Sequence, residues 1–169
     1  IKYMCRLLES ISIVDGVAER IPWHQQRMDA AAKALWAGKA PSLQQFLSRV
    51  VVPREGHHEL RIEYAKDIEN YSLNRYTPKR ITSLQVVYCD NIHYDYKFAD
   101  RTKIDRLYAL RDGTDDILIV RNGLVTDTSY CNVLFYNGLR WVTPLQPLLK
   151  GTMREYLLDH GWASESETS

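Results

Sequence analysis

Strand-like runs joined by tight-turn dipeptides, with a few stretches of helical spacing between them, predict an α+β fold for this 169-residue chain. Three observations carry that prediction. Residues 5–21 alternate apolar and polar on either side of Asp15-Gly16. Ile21, Met28, Ala31, Ala32, Leu35 and Trp36 recur at helical spacing. Beyond residue 112, four short strand-like runs are punctuated by Asn122-Gly123 and Asn137-Gly138.

Taken in order, CRLLESISIVDGVAERI (5–21) turns about Asp15-Gly16, a dipeptide that tolerates the positive φ angles of a hairpin, so a β-hairpin is expected. Pro22 suits the first turn of a helix that runs until Gly38, and a second, short helix is expected over about 42–50. HELRIEYA (58–65), ENYSLN (69–74) and TSLQVVY (82–88) alternate again and read as strands, with Tyr76-Thr77-Pro78 as a break. Ile104, Leu107, Tyr108 and Leu110 mark an amphipathic stretch closed by Asp112-Gly113. Strands follow at DILIV (116–120), LVTDT (124–128), NVLFY (132–136) and RWVT (140–143), with type I′ hairpin turns expected at Asn122-Gly123 and Asn137-Gly138. A last helix from about Gly151-Thr152 to His160, stopped by Gly161, leads into ASESETS, a tail expected to be unstructured.

Composition narrows the function classes. Lys and Arg number 22 against 21 for Asp and Glu, so no net field would hold a polyanion, and neither nucleic acid nor a membrane surface is expected as a partner. Cys5, Cys89 and Cys131 are far apart and show no zinc-ligand spacing, which predicts no metal and fits a reducing, cytoplasmic setting. No apolar run approaches the roughly 20 residues needed to cross a bilayer, and no basic segment followed by an apolar one opens the chain, so neither membrane insertion nor secretion is expected. His57-His58 would point to opposite faces of a strand and read as surface residues rather than ligands. The four tryptophans, Trp23, Trp36, Trp141 and Trp162, read as core or interface packing.

Three places could carry chemistry. Lys97, in HYDYKFADR, could be partly enclosed by Tyr94, Tyr96 and Phe98; enclosure penalises the ammonium form and favours the neutral amine that attacks an aldehyde. On its own the signal is weak, since a lysine beside aromatics is far more often a solvated surface residue. Asp127 lies in a strand between apolar segments, where a carboxylate needs a cation or several donors, or else caps a turn through Thr128-Ser129. Gly151-Thr152 opens a helix whose first amides could receive an anion, the alternative being plain N-capping by Thr152.

In their order and spacing these features resemble the class IV aminotransferase-like proteins, which include branched-chain and D-amino-acid aminotransferases and 4-amino-4-deoxychorismate lyase. The resemblance spans about residues 5–160. Leu8-Glu9-Ser10 is similar to a Phe-Glu-Thr-like hairpin, His24 to Met28 to a His-x-x-Arg-Leu helix, KFADR to Lys-x-x-Asn-Arg, and the stretch from Asp127 to Asn132 to Glu-x-x-x-x-Asn. LLKGTMREYLL is similar to the family's final helix start. Asp stands where the family has Glu, one methylene shorter, and Leu134 and Thr152 also depart from the usual residue types. Strands before the hairpin and a β-rich segment after the last helix look missing or reduced.

The resemblance implies fold type IV, a small α+β lobe (1–90) followed by a β-rich lobe (91–169) that binds pyridoxal 5'-phosphate. It implies that Lys97 forms the Schiff base, that Arg27 and the amides at Gly151, Thr152 and Met153 bind the phosphate, and that Arg101 lies beside the cofactor. Asp127, in the segment with Asn132, would pair with the pyridine nitrogen. Arg80, Tyr94 and Tyr96 are candidates for a substrate-carboxylate clamp, as is Arg101. Implied too are amino acid and keto acid substrates and a homodimer. The expected activity is transamination, with two alternatives: elimination of pyruvate from an aminodeoxychorismate-like substrate, and an inactive binding module.

Overall fold

The computed structural model describes residues 5–169, and its elements mix α and β as expected. They fall into two units. One comprises the chain up to Pro78 together with Tyr96–Asp100, the other Lys79–Asp95 together with Arg101–Ser169. The first division runs at 78/79, and 96–100 belongs to the first unit.

In the first unit, β1 (Leu7–Val14) turns into β2 (Val17–Ala18) through Asp15 and Gly16, both at positive φ, as the hairpin reading required. β3 (His57–Tyr64) and β4 (Ile68–Arg75) complete an antiparallel sheet in the order β2-β1-β3-β4. Alternation sends Leu7, Ile11 and Ile13 of β1 and Leu60, Ile62 and Tyr64 of β3 into one core, where Met28 and Ala31 of α1 (Ile21–Trp36) and Leu43 of α2 (Leu43–Leu47) meet them. α2 is shorter than read, and Ser42 caps it by accepting from the Gln45 amide. Beyond the two-residue β2, the free edge of β1 is taken by the returning segment: the Leu8 amide donates to the Lys97 carbonyl at 2.8 Å and Ala99 to Arg6 at 2.9 Å.

In the second unit, β5 (Leu84–Tyr88) runs parallel to β6 (Asp116–Arg121), and β6 pairs antiparallel with β7 (Leu124–Thr128) across the Asn122-Gly123 turn. α3 (Thr102–Tyr108) lies in the β5–β6 connection, which ends at Asp112 and Gly113 in the left-handed region. β6 and β7 fall out of step: Leu118 faces Thr128 but Val120 faces Val125, so β7 carries one extra residue over Thr126–Asp127. Such a bulge re-aims side chains. Every residue of β7 from Val125 to Thr128 is buried, which an ordinary one-sided strand would not show.

Four expectations are corrected here. NVLFY pairs only at β8 (Phe135–Tyr136), because Asn132 is engaged elsewhere. Asn137-Gly138 is not a two-residue type I′ turn: only Gly138 has positive φ, and Asn137 closes a four-residue loop to β9 (Trp141–Pro144) by accepting from the Leu139 and Arg140 amides with its side chain. The tail is not unstructured. Ser164–Ser166 forms β10, parallel to β9, after α4 (Thr152–Asp159) and its Gly161 stop, and the buried Arg154 holds Glu165 at 2.6 Å. Finally, His57 and His58 are half-buried, His57 Nε2 lying 3.0 Å from Ser12 Oγ, while Trp141 and Trp162 are exposed on an open apolar groove with Leu134 and Leu157.

Candidate functional site

Glu9 is the anomaly of the first unit. It stands in the register of Leu7, Ile11 and Ile13, faces the core, and is fully buried. α1 supplies its partners from the same helical face: His24, with Met28 and Ala31 one and two turns on, and Arg27 beside them. Arg27 grips the carboxylate with both prongs, Nε to Oε1 at 3.0 Å and Nη2 to Oε2 at 2.5 Å, and His24 Nδ1 meets Oε2 at 2.5 Å. With the glutamate ionised, the ring nitrogen is the donor. Burial works to raise the Glu9 pKa, but the Arg27 charge and the bonds from His24 and Arg27 outweigh it and hold the carboxyl below its ordinary value. Burial also depresses His24, against the pull of Glu9. Arg27 keeps 15% of its side chain exposed, so one edge of the guanidinium faces outward.

Lys97 belongs to this same unit and is half-buried. Its backbone is bonded to Leu8, the residue next to Glu9, and Phe98 bridges Leu7. Tyr96 and Phe98 pack edge to face, ring centroids 5.9 Å apart, against the core. β1 is therefore the common reference for Lys97 and Arg27, through the Leu8 backbone and the Glu9 side chain.

The second unit carries the other predicted residues. The β7 bulge places Asp127 in a buried position, with Oδ1 accepting from Asn132 Nδ2 at 2.6 Å and Oδ2 from the Leu149 amide at 3.0 Å. Asn132 also donates to the Leu149 carbonyl and accepts from the Gly151 amide, so one side chain ties β7 to the loop before α4. Turn-capping by Asp127 is excluded: Thr128 Oγ1 does that, receiving the Cys131 amide at 3.1 Å. Desolvation raises the Asp127 pKa to about 6, against the lowering effect of the Asn132 and Leu149 donors.

Thr152 does not cap α4 either. It is the first helical residue, and the N-cap is Gly151, extended at φ −74 and without a side-chain cap. A Cβ on Gly151 would collide with Asn132 Oδ1, so a glycine lets the Asn132 side chain reach the backbone at 151 so closely. Met153 is exposed in the first turn. Arg101 opens α3, donating from Nη2 to the Ser129 carbonyl at 2.6 Å. Of the substrate-clamp candidates, Arg80 is exposed and Tyr94 buried in the second unit, while Tyr96 belongs to the first. Among the described residues no group of three or more His, Cys, Asp or Glu is arranged to hold a metal. No helix among them is long and apolar enough to cross a membrane.

Sequence reasoning had not given Glu9 a role. The signal was present, however: a carboxylate in the apolar register of LLESISIV.

Comparison with known proteins places these residues in context. The family model described as amino-transferase class IV matches residues 6–168. An uncharacterised protein of Haemophilus influenzae is 34% identical over 165 residues, covering 96% of this chain and 88% of that one. A crystal structure from Haemophilus somnus 129PT, provisionally named a 4-amino-4-deoxychorismate lyase, superposes with a TM-score of 0.87 at 33% identity over 99% of this chain and 90% of that one. A hypothetical aminotransferase of Mycobacterium tuberculosis in its PLP-bound form gives a TM-score of 0.73 at 18% identity, covering 96% and 71% of the two chains.

Proposed function

Because the chain belongs to the class IV aminotransferase family, with the fold of type IV pyridoxal phosphate enzymes, we propose that it is a pyridoxal 5'-phosphate-dependent aminotransferase acting through Lys97. The observation that carries this reading is the keying of Lys97 and Arg27 to neighbouring residues of one strand, Leu8 and Glu9.

The donor set suits that cofactor. Its phosphate calls for a cationic fork, which the edge of Arg27 that Glu9 leaves unoccupied can supply. Its ring nitrogen calls for a buried carboxylate, and Asp127, whose pKa desolvation has raised, is stabilised by gaining a cation. Asn132 holds Asp127 in orientation. When bound, the cofactor supplies an aldehyde that condenses with amines and a ring that withdraws electrons from the substrate Cα.

The chain's own residues do the rest. Lys97 Nζ would act as the general acid/base that takes the proton from the substrate Cα and, for transamination, gives it back. Arg27 would resist displacement of the phosphate as the substrate enters. Arg101 donates to the carbonyl of Ser129, two residues after Asp127 in the chain, and steadies that loop. A homodimer acting on amino and keto acids completes the proposal.

A second reading is favoured by the 33% identical structure named for 4-amino-4-deoxychorismate lyase, together with KFADR and GTMR in this sequence. There Lys97 performs the same proton removal, and pyruvate leaves to give an aromatic amine. Loaded protein supplied with amino acids, a keto acid acceptor and aminodeoxychorismate separates the two by product: a new amino acid for transamination, pyruvate plus aromatic amine for the lyase. In either case Lys97→Ala is expected to lose roughly 10²–10⁴-fold in rate, the usual contribution of a general acid/base. Full activity in that variant would overturn both, and protein that takes up no cofactor would leave a binding module.

A further inference from the structure

We propose that Glu9 is a positioning residue for Arg27, fixing its guanidinium so that a single edge is offered to the phosphate. The inference rests on the reading that Arg27 receives the cofactor phosphate. A buried ion pair contributes little net stability, since desolving both charges offsets their attraction. What such a pair does contribute is geometry.

Glu9 engages the Nε and Nη2 positions of Arg27 together, which fixes the plane of the guanidinium and leaves Nη1 and the outer hydrogen of Nη2 as donors. The carboxylate is itself restrained, because His24 Nδ1 lies on the same oxygen that accepts from Nη2. Its backbone is locked as well: Glu9 pairs with Ile62 within an eight-residue antiparallel register. Arg27 thus has little freedom to swing, and the edge left to it points away from Glu9.

Positioning and simple electrostatics predict opposite signs. Removing the negative charge of Glu9 leaves Arg27 more positive, which by charge alone would tighten a phosphate ester. If Glu9 acts by holding the fork, the same change loosens it. The readout is the preference for pyridoxal 5'-phosphate over pyridoxal, which lacks the phosphate, taken as the ratio of equilibrium dissociation constants in Glu9→Gln, Glu9→Asp and Arg27→Ala.

Glu9→Gln is expected to lose about tenfold of that preference, the scale of one charge-assisted hydrogen bond, with pyridoxal affinity unchanged. Glu9→Asp keeps the charge but is one methylene short for a two-pronged grip, and is expected to fall in the same direction by less. It decides the question if Glu9→Gln does not fold by circular dichroism. A preference that is unchanged or higher in the folded Glu9 variants overturns the inference. Arg27→Ala tests the premise separately: if it keeps the wild-type preference, the assignment of Arg27 to the phosphate fails whatever Glu9 does.

Discussion

Glu9 and Asp127 are both carboxylates buried in apolar surroundings, yet their acidities move in opposite directions. Glu9 is held below its ordinary value by a cation and two sets of bonds, whereas Asp127, served by an amide side chain and backbone amides, is raised to about 6. Burial is the largest single influence on each. The difference lies in the partner: Arg27 brings a full charge to Glu9, while Asn132 and Leu149 bring only dipoles to Asp127. Of the two, Asp127 retains the larger demand for a cation, which is the property a pyridinium partner needs.

The contrast can be broken most strongly at Arg27. Arg27→Met leaves Glu9 buried without its cation, and is expected to destabilise the protein by about 3–5 kcal/mol in urea denaturation, with Glu9 joining Asp127 on the raised side. A loss below about 1 kcal/mol would mean that Glu9 is not dependent on Arg27.

Asp127 gives the next effect, through pH. Its folded pKa of about 6 lies above the ordinary value of 3.8, so between those values the folded state holds the extra proton and its stability declines as pH rises. Asp127→Asn removes that dependence. Relative to wild type, the variant is expected to gain about 3 kcal/mol between pH 4 and 7 in cofactor-free denaturation curves. Glu9, with its lowered pKa, bends the curve the other way, its stabilisation being lost as pH falls through the folded value. A constant difference between Asp127→Asn and wild type across that range would show that Asp127 is not desolvated.

The smallest expected effect sharpens the Asp127 side alone. Gly151→Ala meets no backbone strain, because φ is −74, but its Cβ must push Asn132 aside. A cost of about 1–2 kcal/mol is expected by thermal unfolding, with Asp127 titrating higher once the Asn132 bond is lost. An unchanged titration would show that Asn132 does not restrain the carboxylate.

Much of this was legible from local pattern. Asp15-Gly16 and Asn122-Gly123 adopt the positive φ their turn type demands, and α1 begins at Ile21 with Pro22 in its first turn, where proline costs no hydrogen bond. Asn137-Gly138 has the same composition but a different turn, since the Asn137 side chain found two amides to accept from. The role of Glu9 was hidden because its partners lie 15 and 18 residues away on another element.

By itself the sequence determined the α+β mixture, the order of elements and the residues that match the family, because periodicity, turn dipeptides and motif spacing are properties of neighbours along the chain. Tertiary structure alone decided that Ser164–Ser166 is a strand beside β9 and that 96–100 returns to β1. It also decided that a bulge buries Asp127 and that Glu9 holds Arg27. Each depends on backbone and charged groups finding partners distant in sequence, where desolvation makes an unpaired group costly and so selects the pairing.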